Sequence, residues 1–156
     1  MSTTEAQARA AVRARLPDDA FAFPIYWQGD DAPTLPDTPA PFAFIVFSNE
    51  GSGGAPTAFG GGPGKNLYRN HALVEAFVFS PIGAEVGAGV ASDRAEQIAA
   101  RLRSYRDSDI SVHAADVIYI GPGSSRALWR MLPGLDEVNN YKCAVAEITL
   151  TFDLIG

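Results

Sequence analysis

From Tyr141 to Leu154 the chain alternates almost without a break. Ala144, Ala146, Ile148, Leu150, Phe152 and Leu154 fall on one side, and Glu147, Thr149, Thr151 and Asp153 on the other. Side chains of a strand point alternately to its two faces, so this segment is a β-strand with one apolar face, Lys142 standing at the start of it. Such a strand belongs to a sheet that buries that face against a second layer. The sequence offers that layer between Ala88 and Tyr105. There Ala91, Ala95, Ile98, Leu102 and Tyr105 step by four, three, four and three along one side of a helix. Asp93, Arg94 and Arg101 lie opposite, and Arg103 and Arg106 suit the negative carboxyl end.

The other elements follow from local pattern. Residues 3 to 16 read as a short helix that Ser2, Thr3 or Thr4 can cap, with Arg13 and Arg15 in its last turn. Its apolar side (Ala8, Val12, Leu16) is modest, and Pro17 ends it. Phe21 to Trp27 is an aromatic strand whose Pro24 cannot donate to a ladder, which places it at a sheet edge or at a bend. Four prolines between residues 29 and 41 make an extended connector. Phe42 to Phe47 is apolar at every position and reads as a strand buried on both faces. Gly51 to Gly64 surrounds Thr57–Phe59 with glycine and predicts a mobile hairpin arm. Leu67 to Phe79 is a long strand with Tyr68, Ala72, Val74, Ala76 and Val78 on one face, and Arg69, His71 and Glu75 on the other. Val112 to Ile120 is a further strand, and residues 124 to 138 form an irregular excursion. Together they predict a single α+β domain over 1–156. It has a largely antiparallel β-sheet packed on one long amphipathic helix, a short N-terminal helix and a Gly-rich hairpin arm.

Composition narrows the function. With 47% hydrophobic and 19% charged residues, the 156-residue chain has ample material for a core and is unlike a disordered chain. A net charge of −6 provides no basic field for nucleic acid. No apolar run approaches the roughly 20 residues of a membrane helix, and the polar start Met-Ser-Thr-Thr-Glu is unlike a secretory signal. These features predict a chain that stays in the cytoplasm or assembles there.

Chemistry has few residues to work with. Gly64-Lys65-Asn66 lacks the phosphate-loop pattern, because Phe59 stands where its first glycine belongs and Asn66 where its hydroxyl belongs. His71 has neither an evident nucleophile nor an orienting partner. His113 and Asp116 lie at odd and even positions of one strand, which separates them. Cys143 sits in strand-core sequence and reads as a small hydrophobe. No catalytic residue, cofactor or metal is expected. Ten of the twelve basic residues are arginines. Arg126 and Arg130 flank Trp129, a composition found both at protein-contact hot spots and on a solvated loop whose Trp covers the core.

The order of these phrases resembles a known family. An aromatic strand at Pro24 to Trp27 leads through a Pro-rich spacer to Pro41-Phe-Ala-Phe-Ile-Val-Phe47. A Gly-rich hairpin then leads to Val74-Glu-Ala-Phe-Val-Phe-Ser-Pro-Ile82. A Gly/Ala-rich helix entry, the helix to Tyr105, Asp116-Val-Ile-Tyr-Ile-Gly-Pro122 and the closing strand Cys143 to Leu154 complete the series. This order is similar to the tail terminator, or tail completion, proteins of long-tailed bacteriophages and gene transfer agents. The likeness spans nearly the whole chain, although the excursion from Ser124 to Asn140 is longer than the family leads one to expect.

The resemblance implies a structural virion protein and not an enzyme. It implies a homo-hexameric ring at the head-proximal end of the tail, assembled in the host bacterial cytoplasm. The ring caps the tail tube, stops its polymerisation and joins it to the head connector or stopper protein. DNA passes through it without specific binding, and no membrane is involved. Phe59, Lys65, Arg69, Arg126, Trp129 and Arg130 are the residues expected at oligomer or partner contacts. Another neck or head-completion role, or a small-ligand binder using a cleft beside His71 and Glu75, are the alternatives.

Overall fold

The computed structural model describes residues 3–30, 38–49, 57–62, 64–82, 89–120 and 141–155. Helix α1 (Glu5–Arg15) begins in a capping box. The Thr4 hydroxyl accepts from the Gln7 amide, and the Gln7 side chain accepts from the Thr4 amide at 2.8 Å. Thr3, one residue earlier, is buried and ties the helix start to the sheet. Its amide donates to the Asp153 carbonyl and its hydroxyl to the Asp109 carboxylate.

Strands β1 (Ile25–Trp27), β2 (Phe42–Asn49), β4 (Leu67–Pro81), β6 (Tyr141–Ile155) and β5 (Ser111–Tyr119) lie side by side in that order, and β3 (Thr57–Phe59) joins β4. The sheet is mixed, since β1 runs parallel to β2 while the other pairings are antiparallel. β1 occupies a rim, as Pro24 requires, and the ladder starts one residue after that proline. β4 and β6 pair residue for residue from Leu67↔Ile155 to Pro81↔Tyr141 and form the spine of the molecule.

The expected single covering helix becomes two. Helix α2 (Gly89–Leu102) buries Ala91, Ala95, Ile98, Ala99 and Leu102. α1 adds Ala8, Val12 and Leu16, all without solvent exposure, to the same core. That core takes Ala72, Val74, Ala76 and Val78 from β4 and Ala144 to Phe152 at even positions from β6. α2 also ends earlier than its periodicity predicts. Ser104 turns to a left-handed φ of 59°, which costs a residue with a Cβ about 1–2 kcal/mol and ends the helix before Tyr105.

The opposite face of the sheet carries a second cluster that the reading of β4 as polar on that side overlooked. Phe42, Phe44, Val46, Phe77, Phe79, Tyr141, Cys143 and Val145 are all buried there. Phe42 stacks on Phe79 at 4.8 Å, and Tyr141 meets Phe42 and Phe79 edge-on at 5.6 and 6.5 Å. β2 is therefore buried on both faces because it lies between two cores. Of the expected Gly-rich arm, residues 51–56 and Pro63 lie outside the described residues. Thr57–Phe59 pair with Leu67–Arg69, and Gly61 stands where a Cβ would collide with the Lys65 carbonyl.

Candidate functional site

Three of the six expected contact residues fall on the β3–β4 turn and its flanks. Phe59 pairs with Leu67 through the backbone, Lys65 is exposed, and its amide donates to the Gly62 carbonyl. Lys65 is followed by a strand and not by the helix a phosphate loop needs. Arg69 lies directly across from Asp153 in the ladder and grips it with two hydrogen bonds of 2.9 Å. The Asp153 side chain, in bonding Arg69, holds the guanidinium above its ordinary pKa, and Arg69 likewise lowers that of Asp153. Arg126, Trp129 and Arg130 lie outside the described residues, as does the excursion that carries them.

The candidate chemical residues are placed apart. His71 is exposed on β4 and shares a face with half-buried Glu75, four residues or about 13 Å along the strand. His113 is displaced by a bulge between Val112 and Ala114, and its Nε2 meets the Thr151 hydroxyl at 2.8 Å. The bulge puts His113 on the face that Asp116 shares with Glu147, which corrects the simple odd–even expectation. Asp116, Glu147 and Glu75 form one acidic row across β5, β6 and β4. Only the register reveals that row. Among the described residues no group of three or more His, Cys, Asp or Glu side chains is arranged to hold a metal ion. Cys143 is buried in the aromatic cluster, and desolvation pushes its thiol up to about 12. A thiol held neutral in this way is a poor nucleophile.

The arginines serve the fold as well as the surface. Arg9, Arg13, Arg15 and Arg101 stack over Phe47, Trp27, Tyr105 and Phe21 at 4.3–5.4 Å. Arg103 reaches Glu96 at 2.6 Å and also donates to the Ala115 carbonyl on β5 at 3.1 Å. That second bond matters because β5 is the last strand on its side of the sheet among the described residues. Upstream, the Val112 amide donates to the Tyr105 carbonyl, and Arg106 bridges to Ser111. The outer edge of β5 is thus covered as far as Ala115. Beyond that point stand Ile118 and Tyr119, 47% and 41% exposed; with Ile82 (44%) they are the large exposed apolar side chains among the described residues.

The other rim bears a groove of about 490 Å³ beside β1, lined by Asp18 and by the run from Phe21 to Tyr26. A more polar cleft of about 220 Å³ lies where β4 and β6 meet the α2–β5 loop. It contains Arg69, Asp153 and Asp107. The Asp107 carboxylate accepts from the Asp109 and Ile110 amides at 2.7 and 2.8 Å and from the Tyr105 hydroxyl at 2.7 Å. Burial alone would raise the pKa of Asp107, but these bonds outweigh it and hold the group below its ordinary value. These bonds close the turn from Asp107 to Ile110. Compared with known families, the chain matches no family model, and no curated protein matches it.

Proposed function

We propose that this chain is a structural virion protein of the tail-terminator kind. Copies of it form a ring, of six as the family resemblance implies, that seats on the head-proximal end of a finished tail tube. The ring blocks addition of further tube protein and presents a docking surface to the head connector. Its activity is binding. The observation that carries this reading is where apolar surface is left exposed. The main core fills one face of the sheet and the aromatic cluster one end of the other, and the large exposed apolar residues among those described stand at strand ends, where a neighbouring protein can reach them.

The charge is compatible with the same role. About six copies at −6 carry roughly −36 in total, which keeps a DNA strand from adhering to the wall of a ring. Deleting the gene and measuring tail lengths by negative-stain microscopy tests the proposal. Headless tails of variable or excessive length are the expected outcome. Tails of normal length on DNA-empty heads move the protein to the neck, and wholly normal particles refute both virion roles.

A further inference from the structure

We draw no further inference here: the strongest candidate, the groove beside β1 lined by Asp18 and by the run from Phe21 to Tyr26, carries nothing because nothing in the structure shows what covers it.

Discussion

Phe79→Ala tests whether the face of the sheet away from the helices is a second core. Phe79 has no solvent exposure, stacks on Phe42 at 4.8 Å and meets Tyr141 edge-on. Truncating a buried Phe to Ala costs about 3–5 kcal/mol, from lost transfer free energy and from the cavity left behind. Domains of this size are stable by about 5–15 kcal/mol, so the change removes a large part of the total. A loss of 4 kcal/mol corresponds to a melting temperature lower by about 8–16 °C. Urea unfolding followed by tryptophan fluorescence and by circular dichroism measures the difference, and an unchanged m-value shows that the denatured state is not responsible. Phe79→Leu, which keeps most of the volume, should cost roughly 1–2 kcal/mol. A Phe79→Ala protein destabilised by less than about 1 kcal/mol refutes the reasoning, because the surrounding rings would then have to be poorly packed or wet. Tyr26 leans edge-on against Phe42 at 6.1 Å, so the same substitution should also loosen the groove beside β1.

Three further outcomes follow from single groups. Cys143 should resist a water-soluble thiol reagent at pH 8 in the native protein and react at once in urea. Its folded pKa is raised to about 12 from 9.0, so only the unfolded state ionises between those values; stability is intact below pH 9 and falls by up to roughly 1.4 kcal/mol per pH unit above it, and Cys143→Ala should flatten that decline in alkaline melts. Asp107→Ala leaves the Ile110 and Asp109 amides without their acceptor and should cost about 1–2 kcal/mol at neutral pH. Because the folded pKa of Asp107 is depressed, its contribution is present above the ordinary 3.8 and lost as pH falls through the folded value, so thermal melts of variant and wild type should converge in acid. A double-mutant cycle on Arg69→Met and Asp153→Ala should give a coupling below about 1 kcal/mol that shrinks with salt, since the side chains are 44% and 28% exposed; a coupling of several kcal/mol would contradict that placement.

Periodic elements were legible from sequence, and elements defined by partners were not. The even positions of β6 and β4 and the helical stripe Ala91, Ala95, Ile98 and Leu102 lie in the main core, because one-sided burial leaves a direct mark on spacing. The second core leaves a weaker mark. On β4, Phe77 and Phe79 share their face with Arg69, His71 and Glu75, so that face reads as polar until β2 is set beside it and Phe44 meets Phe77. The acidic row and the place of His113 depend on register and on one extra residue in β5, which no local pattern announces. Arg103 reads as a helix-end cation, yet its reach to the Ala115 carbonyl depends on how α2 lies over β5. At the expected contact residues, spacing placed Arg69 on its polar face, but the pairing with Asp153 needs a neighbour 84 positions away.

The β5 rim is protected unevenly along its length. An exposed strand edge is a liability, because any extended chain can pair with it, and proteins blunt such edges with charge, bulges or cover. β5 has all three along most of its length: the bulge at His113, the Tyr105–Arg106 segment and the Arg103 side chain. Solubility alone would favour continuing that protection to the end of the strand. Instead Ile118 and Tyr119 near its end are exposed beside Asp116, so among the described residues the cover stops short of the strand's last turn of the ladder. The main core fills one face of the sheet and the aromatic cluster one end of the other, and packing of that density resists sliding a strand against its neighbours.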